Sequence, residues 1–246
     1  MLARFLAMHL DADAASARLN AEEAHHLTHV LRLRIGDEVA VFDGAGREFR
    51  ARIDRAGRGG ADLTLLEEIP APAEPRVRVT LGQAVLKGDG MDAVVRDATM
   101  MGVAAIQPLI TMHAAAPRRA ISRDGAVTRW QRIAIASSKQ CRRAVVPSIE
   151  PAQGLPEWVR SHAADQRLML VEPSAGATVT SVAAIARDAP SSAALMVGPE
   201  GGWAAEEIAS AADAGWTLLT LGRRTLRADA AAAIAIGILQ YVWEDL

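Results

Sequence analysis

The sequence predicts an α/β protein with two domains, a small β-rich domain followed by a larger one built on a parallel sheet. Residues 70–75 read Pro-Ala-Pro-Ala-Glu-Pro, which holds the backbone extended and separates two compositional regimes. Before this segment apolar and polar residues alternate as in half-buried strands, whereas after it apolar runs alternate with helical patterns. We therefore expect domains at residues 1–70 and 76–246.

The first domain carries the signals of a β-hairpin. An apolar run at 39–42 is followed by the glycine-rich turn 43–46 and by alternating apolar and arginine residues at 49–53. Residues 62–66 predict a further strand, and residues 21–31 predict a helix. Such a domain is typical of the small barrels that many RNA-binding proteins use.

The second domain alternates strands with helices, the pattern of a parallel sheet covered by helices. Gly102 and Gly215 each follow a helical pattern, at the position where a left-handed residue ends a helix. The last helix, 228–244, is apolar almost all the way round and must be covered inside the domain or by another subunit. The predicted strands are 77–85, 104–110, 168–171, 193–197 and 217–221, and the helices that end at glycine are 91–101 and 204–214.

Charge is distributed unevenly along the chain. The formal net charge of −2 argues against a uniformly basic nucleic-acid binder. Residues 112–146, however, hold eight Lys or Arg and a single Asp. This stretch can collect phosphates, or it can be the solvated face of a helix, and its composition does not choose between the two.

Cysteine content and hydropathy indicate the compartment. The single cysteine, Cys141, cannot form a disulfide within the chain and suits a reducing environment. The longest apolar run, 230–239, is too short to span a membrane, and residues 1–10 lack the apolar stretch of a secretory signal. We expect a cytoplasmic protein with no membrane contact.

Metal and hydrolase sites are poorly supported. His25 and His29 have the spacing of a zinc-binding pair, but His26 takes the place where a metalloprotease carries glutamate, and a polar helix face is the better interpretation. The chain lacks a Gly-x-Ser-x-Gly elbow, and Cys141 has no evident histidine partner. We expect no metal and no hydrolase chemistry.

Two glycine-containing turns form the candidate ligand site. Residues 195–202 read Leu-Met-Val-Gly-Pro-Glu-Gly-Gly, and residues 221–229 read Leu-Gly-Arg-Arg-Thr-Leu-Arg-Ala-Asp. Each follows an apolar run, and α/β proteins bind ligands where strands lead into helices. Glu206 and Glu207 in the first turn of the next helix disfavour a phosphate. Glu200 would tolerate a cationic ligand such as a sulfonium.

Further motifs accompany these turns along nearly the whole chain. They are His25 to Leu27 with Val30 to Arg32 and Phe42 to Gly44; Lys87 to Asp89 with Met91, Ala98, Thr99, Gly102 and Val103; and Gln140 with Arg143 and Pro147. Together they resemble the bacterial 16S rRNA (uridine-N3)-methyltransferase family, a branch of the SPOUT superfamily of S-adenosylmethionine-dependent RNA methyltransferases.

The resemblance implies a PUA-like N-terminal β-barrel domain that helps to hold RNA. It also implies a C-terminal SPOUT α/β domain tied in a deep trefoil knot, a topology that composition would not suggest. The implied assembly is a homodimer with the last helix at its interface. The implied residues for binding S-adenosylmethionine are Leu170, Glu172, Val197, Gly198, Pro199, Glu200, Gly201, Gly202, Leu221, Gly222, Leu226, Arg227 and Ala228.

The implied reaction is transfer of a methyl group to N3 of a uridine in the decoding region of the small ribosomal subunit. Since N3 carries a proton, the catalytic expectations are that Arg227 stabilises the developing anion and that Asp229 is the nearest candidate base. The base must be unstacked to be reached. The residues expected to hold the RNA are Arg32, Arg34, Gln140, Arg142 and Arg143.

The chain departs from the family pattern at several positions. Family members usually read Arg-Thr-Glu-Thr where this chain reads Arg227-Ala228-Asp229-Ala230, so two hydroxyls are absent and the acid is shorter. Lys139 and Asp97 replace residues of the opposite charge, and we expect them to form an ion pair. Two other functions stay open: methylation of another RNA position, such as a ribose 2′-oxygen, and a non-catalytic RNA-binding assembly factor.

Overall fold

The computed structural model describes residues 2–7, 9–114, 124–173, 179–185 and 188–245. The chain divides into two units. Unit 1 comprises Met1–Glu74 and Ile135–Val146, and unit 2 comprises Pro75–Ala134 and Pro147–Leu246. Residues 135–146 fall within the predicted second domain, 76–246, but they belong to unit 1. Unit 1 therefore includes a segment that is distant in sequence from its other residues.

Unit 1 is built on a curled, mostly antiparallel sheet. Its spatial order is β1-β4-β5-β6-β3-β2, in which only the β1–β4 pairing is parallel among the strands that the structure describes. The predicted hairpin joins β4 to β5 and places Val41 opposite Phe49. The strands are β1 (Arg4–Leu6), β2 (His9–Asp11), β3 (Ser16–Leu19), β4 (Glu38–Phe42), β5 (Glu48–Gly57) and β6 (Gly60–Glu68).

The helix predicted at 21–31 forms in two parts. Helix α1 (Ala21–His25) begins after Asn20, whose side-chain oxygen accepts a hydrogen bond from the Glu23 backbone N–H at 2.8 Å. A π-helical turn (His26–Val30) follows it. Leu27 of this turn is fully buried in the core of the unit, so the turn is held by packing as well as by backbone hydrogen bonds.

Charged side chains join residues 135–146 to the rest of unit 1. The helix Asp124–Cys141 ends there, and its last carbonyl groups have no partner within the helix. Arg4 donates to the carbonyl oxygens of Ser138 at 2.9 Å and Lys139 at 3.0 Å, and to both carboxylate oxygens of Glu48. A cation at this end of a helix also compensates its dipole.

Unit 2 contains a sheet in which every described pairing is parallel. The order is β10-β8-β7-β13-β11-β14-β12, with β9 beside β8. The strands are β7 (Arg78–Ala84), β8 (Ala105–Ile110), β9 (Ser148–Ile149), β10 (Gln153–Gly154), β11 (Gln166–Leu170), β12 (Thr180–Ser181), β13 (Ser192–Val197) and β14 (Thr217–Thr220).

The helices of unit 2 cover this sheet. They are α2 (Gly90–Met100), α3 (Asp124–Cys141), which continues into unit 1, α4 (Leu155–Ser161), α5 (Ala205–Asp213) and α6 (Ala228–Val242). Met169, Ala194 and Met196 of the sheet share a buried cluster with residues of α4 and α5, while α6 packs against α2 and β13.

The predicted elements of unit 2 are confirmed with small shifts at their ends. All five predicted strands form, and Gly102 and Gly215 follow α2 and α5 with φ of +84° and +81°. Helix α4 and the two-residue strands were not predicted, because such short elements have no hydrophobic period to read. None of the described helices has the length and apolar character needed to cross a membrane.

Candidate functional site

A cavity of about 670 Å³ opens at the carboxyl ends of the central strands of unit 2. Parallel strands place these ends at one edge, so the loops after β7, β11, β13 and β14 converge there. The volume falls in the range of small-molecule sites. The lining residues are Lys87, Asp89, Gly90, Ala93, Leu170, Val171, Glu172, Pro173, Val197, Gly198, Pro199, Glu200, Gly202, Trp203, Thr220, Leu221, Arg224, Thr225, Leu226, Arg227, Ala228, Asp229 and Ala231.

Most of the candidate cofactor residues line this cavity. Gly201 and Gly222 are not among the lining residues that the structure describes. The carbonyl oxygen of Gly201 instead lies 3.2 Å from the His113 Nδ1, and that of Gly222 accepts a hydrogen bond from the Thr220 hydroxyl at 3.1 Å. Both glycines therefore shape the loops from outside the cavity.

Trp203 connects two of the lining loops. Its indole Nε1–H donates to the carbonyl oxygen of Leu170 at 2.8 Å. Its ring lies against Gly198, where an added Cβ would be 3.1 Å from ring atoms Cε2 and Nε1. Gly202 has φ of +68°, a left-handed conformation that favours glycine. The Gly-Pro-Glu-Gly-Gly sequence thus suits both the turn and the indole ring.

Two glutamates hold the loop between β13 and α5 through hydrogen bonds to their carboxylates. Glu200 Oε1 accepts a hydrogen bond from the Lys87 backbone N–H at 3.0 Å. Glu207 accepts from the backbone N–H groups of Ala204 at 3.0 Å and Met112 at 2.9 Å. Glu207 lies in the first turn of α5, as predicted, so its carboxylate occupies the end of the helix that an anionic ligand would use.

Gln83 is a buried polar residue behind the cavity. The residue is fully buried in β7, and its Nε2 donates to the carbonyl oxygen of Ala84 at 3.0 Å. The same nitrogen lies 3.4 Å from the carbonyl oxygen of Val197. Gln83 interrupts the apolar run 77–85, and this interruption is the signal in the sequence that could have identified it.

Arg227 and Asp229 face each other at the start of α6. Arg227 donates from Nε to Oδ1 of Asp229 at 3.1 Å and from Nη2 to Oδ2 at 2.9 Å. The hydrogen bond from Arg227 lowers the pKa of Asp229 below its ordinary value, and the same bond raises the pKa of Arg227. The structure therefore presents Asp229 as an ionised partner of Arg227.

Several lining residues were missing from the predicted set. Trp203 follows directly after the predicted turn, and Lys87 and Asp89 belong to one of the motifs that carry the family resemblance. Arg224 and Thr225 lie within the predicted second turn. Which of these residues reach the cavity depends on the order of the strands, which the linear sequence does not show.

The candidate RNA-binding residues divide into two groups. Arg32, Arg34, Gln140 and Arg142 are exposed in unit 1, and Arg32 and Arg142 have φ of +57° and +70°. Arg143, by contrast, is only 6% exposed, and its guanidinium is bound by the carboxylate of Glu74. Arg143 is thus committed to an ion pair within unit 1.

Asp97 and Lys139, for which an ion pair was predicted, each bind another residue. Asp97 accepts from Arg96 Nε at 2.8 Å, and Lys139 binds Glu23. The two histidines at zinc-like spacing, His25 and His29, stack with ring centroids 4.5 Å apart. Among the residues described, no group of three or more His, Cys, Asp or Glu is arranged to hold a metal ion.

Comparison with known proteins identifies similar domains and relatives. A family model described as an RNA methyltransferase domain matches residues 73–240, and one described as an RNA methyltransferase PUA domain matches residues 19–66. Two curated relatives are each named Ribosomal RNA small subunit methyltransferase E. The Synechocystis protein is 31% identical over 94% of this chain and 75% of its own length. The Mycobacterium tuberculosis protein is 30% identical over 94% and 89%.

Solved structures of proteins described as methyltransferases have the same fold as this chain. A Ribosomal RNA small subunit methyltransferase E from Neisseria gonorrhoeae, bound to S-adenosyl methionine, superposes with a TM-score of 0.87 and 30% identity. The alignment covers 99% of this chain and 98% of that one. A Legionella pneumophila protein described as a methyltransferase, with the cofactor SAM bound, has a TM-score of 0.89 and 28% identity over 98% of both chains.

Proposed function

Because the chain belongs to the RNA methyltransferase family, we propose that it transfers a methyl group from S-adenosylmethionine to N3 of a uridine in 16S rRNA of the small ribosomal subunit. The observation that supports this most is the cavity bounded by the loops after β11, β13 and β14. It lies in a chain that aligns over nearly its whole length with two structures solved with that cofactor.

The lining residues fit S-adenosylmethionine. Gly198 and Gly202 present backbone without a side chain, which allows close approach. Leu170, Val197 and Leu226 supply apolar walls, and Glu172 and Glu200 supply negative charge for a cationic sulfur. When bound, the cofactor supplies an electrophilic methyl group on a sulfonium.

Arg227 is the proposed catalytic residue. Uridine N3 carries a proton that must pass to solvent water before or as the methyl group leaves the sulfur and bonds to N3, so negative charge develops on the base. The guanidinium of Arg227 can donate hydrogen bonds to that charge. Asp229 is poorly matched to remove a proton near neutral pH, because its pKa is lowered by Arg227. We assign Asp229 to orienting Arg227.

RNA binding is proposed for the first domain, residues 1–70, and methyl transfer for the second, residues 76–246. Arg32 and Arg34 of the first domain are exposed and suited to contact phosphates and unpaired nucleotides. Gln140 and Arg142 lie outside residues 1–70 but belong to unit 1, and they are exposed as well. A base whose N3 is to react must leave its stack or pair. Protein contacts to the RNA backbone on either side of this base would offset part of the free energy that unstacking requires.

The assembly and topology are also proposals. Helix α6 is largely apolar, yet Ile234 is 40% and Tyr241 75% exposed, which supports a homodimer interface on this helix. We further propose the deep trefoil knot that the family resemblance implies, and a cytoplasmic location, where small ribosomal subunits are found.

The proposed activity is tested by mass spectrometry of 16S rRNA from a deletion strain. We expect the loss of one 3-methyluridine and its return when the wild-type gene is restored. Small subunits from the deletion strain, incubated with the purified protein and labelled S-adenosylmethionine, should accept one methyl group each. Loss of a ribose 2′-O-methyl group, or no change in rRNA, would contradict the assignment.

A further inference from the structure

We propose that Trp203 is a positioning residue for the cofactor, which holds two loops of the cavity in place before the ligand binds. The inference rests on the proposed S-adenosylmethionine site and adds a residue that the sequence motifs did not indicate.

The first observation is the hydrogen bond between the two loops. Leu170 is the last residue of β11, and Trp203 lies in the loop after β13. The indole Nε1–H is the only polar group of the tryptophan side chain, and it donates to the Leu170 carbonyl oxygen at 2.8 Å in a part-buried setting. Removing the donor leaves that carbonyl without this bond, which weakens the connection between the loops.

The second observation is the contact of the ring with Gly198. A Cβ at Gly198 would approach ring atoms to 3.1 Å, so the indole lies directly on the backbone of the loop. The missing side chain at Gly198 therefore serves the packing of Trp203 as well as the approach of a ligand. Ring and hydrogen bond together fix Gly198 relative to Leu170.

These contacts predict that loss of Trp203 changes the binding of S-adenosylmethionine. Gly198, Leu170 and Trp203 all line the cavity, so the hydrogen bond and the ring contact lie at the binding site itself. Ordering a loop before binding removes part of the entropic cost of association. Loss of the tryptophan should therefore raise the Kd and KM for S-adenosylmethionine and leave kcat at saturating cofactor nearly unchanged.

The chain offers a matched control in Trp216. Its Nε1 donates to the carbonyl oxygen of Val159 at 3.1 Å, and its ring is buried in the same apolar cluster against which Trp203 packs. Trp216 is not among the described residues that line the cavity. Trp216→Phe thus removes the same kind of hydrogen bond from the same unit without touching the site.

Calorimetric titration with S-adenosylmethionine compares the two variants. We expect W203F to raise the Kd about 5-fold, the size of one modest hydrogen bond. W216F should leave the Kd within about 2-fold of wild type, although it should lower the urea midpoint. The fluorescence change on cofactor binding should diminish in W203F and persist in W216F, because Trp203 is the one tryptophan among the described residues that lines the cavity.

The possible results separate the two proposals. Failure of the wild-type protein to bind S-adenosylmethionine would overturn the cofactor assignment. Binding by the wild type with equal Kd values in W203F and W216F would overturn the role of Trp203 alone. Should W203F fail to fold, Trp203→Tyr, a larger aromatic side chain that also lacks the indole N–H, replaces it as the test variant. A raised Kd then supports the inference, and an unchanged Kd overturns it.

Discussion

Arg227 and Asp229 form a two-point ion pair across the first turn of helix α6. The donor–acceptor distances are 3.1 Å from Nε and 2.9 Å from Nη2. Asp229 lies where the positive end of the helix favours a carboxylate. The guanidinium, whose side chain is 85% exposed, is thereby held at the edge of the cavity.

Replacing Arg227 should slow methyl transfer. We expect Arg227→Ala to reduce kcat about 100-fold, as for the loss of one donor to a developing anion. Arg227→Lys keeps the charge but loses the planar set of donors, so it should recover only part of the rate. Single-turnover transfer to small subunits measures both, and a wild-type rate in Arg227→Ala would remove this residue from the mechanism.

Replacing Asp229 should act through Arg227. We expect Asp229→Asn to reduce kcat about 10-fold, far less than the 10²- to 10⁴-fold expected of a lost base. In the double variant with Arg227→Ala, the second substitution should add little, because the two residues form one unit. A double variant 10-fold slower than Arg227→Ala would show that Asp229 has a separate role.

His162 should make the stability of the protein depend on pH. Burial, with a smaller contribution from Arg167, lowers the pKa of His162 below 6.5, and its ring stacks on Trp158 at 4.6 Å. The unfolded chain therefore binds the proton more readily, so this contribution is complete above pH 6.5 and is lost as the pH falls toward the folded pKa.

The midpoint of urea unfolding is measured at pH 8 and at pH 5.5, with tryptophan fluorescence as the probe. The difference between the two midpoints should be smaller in His162→Gln than in wild type. His9→Gln, at an exposed position in unit 1, is the control. An identical difference in wild type and His162→Gln would contradict the prediction.

Gly82 should not tolerate a side chain. A Cβ there would lie 2.6 Å from the Trp158 ring and 3.0 Å from Leu109 Cδ1. Gly82→Ala should therefore destabilise the protein by about 1–3 kcal/mol, the usual cost of overpacking. Gly125→Ala, in α3 with no atom within 4 Å of the new Cβ, should be neutral or slightly stabilising. Urea denaturation compares them, and equal midpoints would refute the steric argument.

Alanine substitutions at the adjacent residues Arg142 and Arg143 should affect different properties, RNA binding for Arg142 and stability for Arg143. Arg142 is exposed, so Arg142→Ala should weaken binding to small subunits and reduce its salt dependence without changing stability. Arg143→Ala breaks the pair with Glu74 and should cost about 2 kcal/mol of stability, less than for a fully buried pair because Glu74 is partly exposed. Filter binding and urea denaturation test this, and a reversed pattern would contradict it.

The five longer strands of unit 2 could be predicted because they are buried in a parallel sheet. Residues 193–197 read as one apolar run, and β13 spans Ser192–Val197. The two glycine-containing turns could be predicted as well, since glycines and charges follow directly after β13 and β14. Trp203, Lys87 and Gln83 were not predicted, because their neighbours belong to strands distant in sequence.

The sequence by itself determined the type of most helices and strands, the position of the two glycine-containing loops and the family resemblance. These depend on residues close together along the chain. Tertiary structure alone decided that Arg143 is buried against Glu74 while Arg142 is exposed. Trp203 meets Leu170 only because β11 and β13 are neighbours in the sheet. Side-chain partners are set by contacts between distant segments, which no local pattern records.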